Sequence, residues 1–158
     1  MNLTKTQQFL TYIIKNRPRA SITILMKLSY LIDLVSVHKN KNQITDFSYI
    51  RYYYGPYDTR INTELQTLIG EGIISFENAY VLADAEYTVY SFNKDFEDFE
   101  FNELSQEEKT IIDKIISDLG GYGAKTLTEI AYKTRPMKKL GATIGGTENL
   151  NEKVVLSQ

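Results

Sequence analysis

The sequence contains no cysteine, no tryptophan, a single histidine and three prolines among its 158 residues. Without cysteine there is no disulfide, no thiolate metal site and no cysteine nucleophile. His38, alone and without a cysteine partner, makes a poor metal ligand set. No glycine-rich segment has the spacing that cradles phosphate ahead of a Lys-Ser/Thr pair. Gly120-Gly121-Tyr122-Gly123 follows a predicted helix and reads as a breaker. No apolar run approaches the ~20 residues that a membrane span needs. The opening MNLTKTQQFL is too polar for a signal peptide. These absences lead us to expect a cytoplasmic protein, no enzyme, with no metal and no cofactor.

What is present is ordinary for one globular domain: 42% hydrophobic and 24% charged residues. Charge is unevenly spread around a net of −2. Residues 1–60 hold nine Lys/Arg against three Asp/Glu, and residues 61–108 hold one Lys against twelve acids. Residues 109–158 return to eight basic against five acidic residues. A basic end meets nucleic acid in some proteins. Equally, basic and acidic segments can face each other or lie solvated. Asp95, Glu97, Asp98, Glu100 and Glu103 lack the loop pattern of a calcium site and read as a solvated linker whose phenylalanines pin it to the domain.

The chain is organised around residues 49–72, YIRYYYGPYDTRINTELQTLIGEG. The pattern predicts a strand near 47–53, a corner at Gly55-Pro56, and a helix capped by Asp58 or Thr59. Ile61, Leu65, Leu68 and Ile69 share one face of that helix. Before it, Thr4-Lys5-Thr6-Gln7 is a capping box opening a helix over 4–15. Ser21 caps a second helix over 22–38 that is apolar around most of its circumference, as a central helix must be. Lys27, Ser29, Asp33 and Ser36 are its few polar positions.

Beyond residue 72, a short strand at 73–76 and a hairpin pairing 80–82 with 87–92 through a loop at 83–86 are expected. Capping boxes at Ser105 and Thr126 open two further helices, and Pro136 limits the second. Residues 1–140 should form one domain, with 141–158 a loosely ordered tail. The fold class is α+β, mostly helical, with a winged-helix-like core, a small β-hairpin and extra C-terminal helices.

Arg51, Tyr53, Tyr57 and Arg60 are candidates for a partner-binding surface, because Tyr and Arg dominate binding hot spots. Tyrosine is also common in strands and half-buried corners, so at least one face of the cluster belongs to the core. The alternative function is a winged-helix DNA-binding regulator using Lys15, Arg17, Arg19, Lys39 and Lys41, or else Lys133, Arg135, Lys138 and Lys139. Charge speaks against it: the third predicted helix carries one basic residue, and 71–91 carries none.

Several short motifs in order resemble a known family. They are Lys27-Leu28-Ser29-Tyr30-Leu31, Tyr53-Tyr54-Gly55-Pro56-Tyr57, the Ile61…Leu65…Leu68 helix ending at a glycine before Ile73, and Leu104-Ser105-Gln106-Glu107-Glu108. The segment Leu127…Ala131-Tyr132-Lys133-Thr134-Arg135-Pro136-Met137 completes the set. Together they resemble the Panacea domain, the SocA-like antitoxin domain also called GepA-like or phage-associated. The resemblance spans roughly 20–137. The chain departs from the pattern in lacking the histidine of the last segment and in carrying Met137 where tryptophan is usual, which marks a divergent member. The resemblance implies a non-enzymatic antitoxin. Such a protein neutralises a toxin, encoded beside it, by direct binding, and at least one type also delivers its toxin to a protease.

Overall fold

A computed structural model of the chain describes residues 1–80 and 86–157. Six helices and two small sheets are found among the described residues, in a mostly helical α+β arrangement. Helix α1 (Lys5–Asn16) opens on the expected capping box, with Thr4 and Gln7 bonding each other's backbone amides. A two-residue strand β1 (Ala20–Ser21) leads into α2 (Ile22–Asn40), where the Ser21 hydroxyl accepts from the Ile24 amide. Lys41, with a left-handed φ of 64°, ends it.

Every residue of α2 from Ile24 to Asp33 is buried. The helix is packed by α1 on one side and by later elements on the others. Removing each of its Leu and Ile side chains from water contributes about 1.5–3 kcal/mol. It is therefore the axis of the core.

Strands β2 (Ile50–Tyr52) and β3 (Gly55–Tyr57) pair antiparallel, with Tyr52 opposite Gly55 and Ile50 opposite Tyr57. The expected strand-and-corner is thus a tight hairpin closed by Tyr53 and Tyr54. Helix α3 (Arg60–Gly70) follows. Thr59 stands at its cap without a side-chain bond; Asp58 does that work, its carboxylate accepting from the Arg60 amide at 2.9 Å. Ile61, Leu65 and Leu68 are its buried face, as the spacing requires.

Strand β4 (Ile74–Tyr80) pairs with β5 (Glu86–Phe92) along its whole length, and β1 joins the far side of β5, giving the order β1-β5-β4. The short strand at 73–76 and the hairpin arm at 80 are one strand. Most of the expected loop at 83–86 lies outside the described residues. Between α2 and α3 the one expected strand is the two-stranded β2–β3 hairpin, and β1 adds a short strand before α2.

The linker behaves as its composition implies: Phe101 is buried and Phe96 and Phe99 pack against the core, while its acids stay mostly in water. Helix α4 (Gln106–Leu119) opens on the Ser105–Glu108 capping box. Helix α5 (Ala124–Tyr132) begins two residues before the expected Thr126 cap, from Gly123. Pro136 sits in the first turn of a further helix, α6 (Arg135–Lys139), where its missing N–H costs nothing.

The segment after Gly141 returns to the edge of β2. Asn151 N–H donates to the Arg51 carbonyl and the Arg51 N–H to Glu152, both at 2.7 Å, and Val154 N–H donates to Tyr49 at 2.9 Å. The segment thus lines the outer edge of β2, and Val154 and Leu156 enter the core.

Candidate protein-binding site

The β2–β3 hairpin carries the tyrosine cluster. Its turn presents Tyr53 and Tyr54 to solvent, 51% and 75% exposed. Tyr52 meets Tyr53 edge-on at 5.2 Å and stacks on Tyr57 at 5.4 Å. Tyr57 is half-buried, and its hydroxyl accepts from Asn62 at the start of α3. The cluster does not divide by alternation, which would set Tyr52 and Tyr54 opposite Tyr53: the turn carries both Tyr53 and Tyr54 into water, over the stacked Tyr52–Tyr57 pair against the domain.

Gly55 makes the turn possible. Its φ is +106°, and a Cβ there would lie 3.3 Å from Lys27 Cε and 3.4 Å from the Tyr132 ring. Both Gly55 and Pro56 are buried.

Arg51, expected on a partner-binding surface, is not on the surface. Its exposure is 0%, because it points inward from β2 into a cage of main-chain oxygens. Nε donates to the Glu148 carbonyl at 3.1 Å; Nη2 donates to those of Thr143 and Gly146, each at 3.0 Å. Nη1 donates to the Tyr52 carbonyl and, at 3.1 Å, to the Tyr132 hydroxyl. All the N–H donors of the planar guanidinium are thus used, which is what makes a buried arginine tolerable. Arg51 anchors the hairpin and the C-terminal segment to α5.

Arg60 is half-exposed at 48% and holds Asp58 at 3.0–3.1 Å and the Asp46 carboxylate at 3.6 Å. Its hydrogen bond to Asp58 raises its pKa further. It lies over the Phe47 ring at 5.8 Å and ties the loop before β2 to α3.

Beneath the hairpin lies a residue whose role the sequence left open. Lys27, on α2, is 1% exposed. Its ammonium donates to the Pro56 carbonyl at 3.1 Å and stands 5.9 Å from the centre of the Tyr57 ring. Burial lowers its pKa to about 7. A cavity of about 200 Å3 lies against it, lined by Thr23, Lys27, Tyr52, Tyr54, Gly55 and Tyr57. The available signal was a lysine in the middle of an otherwise apolar helix.

Asp33, a turn and a half further on, is fully buried and accepts from the Ile44 and Thr45 amides, the Thr45 hydroxyl and the Tyr49 hydroxyl at 2.6–3.1 Å. Burial raises its pKa to about 6 against the opposing pull of those bonds. It fixes the loop that delivers β2.

The basic residues of the DNA alternative do not form one patch. Lys15, Arg17 and Arg19 precede α2 and Lys39 and Lys41 lie at its far end, about 28 Å away along a 19-residue helix. Arg17 donates to the Gly120 and Pro18 carbonyls, Arg19 pairs with Glu77, and Lys15 reaches the Glu97 carbonyl at 3.4 Å. A concavity of about 1070 Å3 includes Arg17, Arg19, Ile22 and Tyr90. His38 is exposed. Among the described residues no group of three His, Cys, Asp or Glu is placed to hold a metal. No described helix is long and apolar enough to cross a membrane.

The domain is thus a helical α+β scaffold that presents an aromatic hairpin on a rigid buried frame. Residues 25–136 match the family described as antitoxin SocA-like, Panacea domain, and the chain belongs to that family. The matched span runs from the first turn of α2 through the hairpin to Pro136. No curated protein and no solved structure matches the chain. Membership suggests an antitoxin role without catalysis.

Proposed function

We propose that this chain is the antitoxin of a toxin–antitoxin pair and neutralises its toxin in the cytoplasm by direct binding through the β2–β3 hairpin. The toxin is a protein encoded beside it. The observation that carries this reading is the pair Tyr53 and Tyr54: two large aromatic side chains held in water at the tip of a hairpin whose base is locked by Arg51. Aromatic side chains on a preorganised frame make strong protein anchors, because little conformational entropy is lost when they are covered. Arg60, half-exposed at the start of α3, adds a second candidate contact residue. Gly55 and Pro56 shape the turn.

DNA binding is the weaker reading. The exposed positions of α3 include Asn62, Thr63, Gln66 and Thr67, with Arg60 its only basic residue, and Arg60 is paired with acids. Affinity for the purified toxin, measured by calorimetry at low and at moderate salt, tests the proposal. An aromatic-centred contact changes little with salt, whereas phosphate binding weakens steeply. A complex that forms only with DNA, and loses affinity steeply with salt, would reverse the two readings.

A further inference from the structure

A buried lysine needs an explanation, because desolvating an ammonium costs several kcal/mol unless its donors are satisfied. Lys27 has three N–H donors and, among the described residues, one hydrogen-bond acceptor, the Pro56 carbonyl. The Tyr57 ring adds a weak cation–π contact at 5.9 Å. No Asp or Glu pairs with it among the described residues, and desolvation is the one influence acting on its pKa. Holding the hairpin carbonyl does not require a charge, since a neutral donor would serve. The remaining N–H donors are unspoken for beside a cavity of about 200 Å3, whose wall is otherwise the Thr23 side chain, the Gly55 backbone and three tyrosines.

We infer that this cavity is a recognition pocket for the carboxylate of an acidic side chain, Asp or Glu, carried by the protein partner. The tyrosine rings enclose the methylenes of the incoming side chain. Its carboxylate accepts from the Lys27 ammonium. Charge complementarity selects this occupant: the pocket supplies one positive charge, no negative one, and apolar walls sized for a short chain. Tyr54 belongs to both the pocket wall and the exposed tip, so an acidic residue seated there sits at the centre of the aromatic face. Such a central, desolvated contact is where binding energy concentrates. The inference rests on the hairpin being the partner-binding face, and it adds what that partner must present.

The test uses the full chain, isotopically labelled, and two capped tripeptides, Ala-Glu-Ala and Ala-Gln-Ala, so its outcome does not depend on the toxin. The Glu peptide should produce saturable shifts at the amides of Thr23, Gly55 and Tyr57, with the Gln peptide at least tenfold weaker. Lys27→Met should abolish the difference. In the unsubstituted protein, the Lys27 Cε resonance should titrate at a higher pH once the Glu peptide is bound, a readout that needs no variant to fold. Equal shifts from the two peptides, or a Lys27 titration that the Glu peptide leaves unmoved, overturn the pocket while leaving the antitoxin reading to its own binding measurement.

Discussion

The Arg51 guanidinium donates to the hydroxyl of Tyr132 at 3.1 Å, and that hydroxyl donates onward to the Tyr53 carbonyl at 3.2 Å. One phenol therefore links the buried base of the hairpin to its exposed turn and fastens both to α5. The ring also lies under the guanidinium at 5.5 Å. The tip is solvent-exposed yet tied to the buried frame, as the proposed anchoring role requires.

Replacing Arg51 with methionine should destabilise the domain by about 3 kcal/mol, since several buried acceptors lose their donor at once. Arg51→Lys should rescue little, because an ammonium cannot span the same fan of oxygens. Chemical denaturation measures the loss. Hydrogen exchange should accelerate at Asn151 and Val154, whose amides bond to β2 and the residue before it.

Tyr53→Ala together with Tyr54→Ala should leave the melting temperature nearly unchanged, because exposed side chains away from the core contribute about 0.5 kcal/mol or less to stability. Partner affinity should fall at least tenfold, about 1.4 kcal/mol or more. Tyr57→Ala differs in kind. It breaks the stack with Tyr52 and should lower stability as well as affinity.

Lys27→Met should stabilise the fold, with a pH dependence fixed in sign. The folded-state pKa of about 7 lies below the ordinary lysine value of 10.5. Between those values the unfolded chain binds a proton that the folded chain does not, so stability rises with pH across that window. Below pH 7 the full cost of burying the charge is present. The stability advantage of Lys27→Met should therefore be greatest below pH 7 and shrink toward pH 10. Comparing denaturation midpoints of the two proteins across this range isolates the lysine from the other titrating groups.

Gly55→Ala should cost about 1–3 kcal/mol through its positive φ and the close approach of Lys27 and Tyr132. Thermal unfolding reads the loss. Gly121→Ala, at a position where a Cβ meets nothing within 4 Å, is the control.

The parts legible in the sequence are those whose signal is local. The capping boxes at Thr4 and Ser105 formed because each needs only four consecutive residues. The helix faces of α2 and α3 followed from apolar spacing. Arg51 misled because alternation along a strand separates its faces without telling what covers each. Its cage is made of carbonyls of Thr143, Gly146 and Glu148, and a carbonyl is the same in every residue. For that reason the Gly- and Thr-rich composition after Gly141 did not show that its backbone oxygens and amides bond to Arg51 and β2. Thr126 matched a capping pattern but lies inside α5, where Gly123 had already allowed the helix to start. Lys27 stood out as a polar position and as the first residue of a family motif, but a sequence does not show that a hairpin folds over it.

The most direct test of the central claim is growth of cells expressing the toxin encoded beside this chain, with the chain supplied intact or as the Tyr53→Ala, Tyr54→Ala variant at equal abundance. The intact chain should restore growth and the variant should not. Failure of the intact chain to restore growth would contradict the antitoxin claim, and full rescue by the variant would contradict the role of the hairpin.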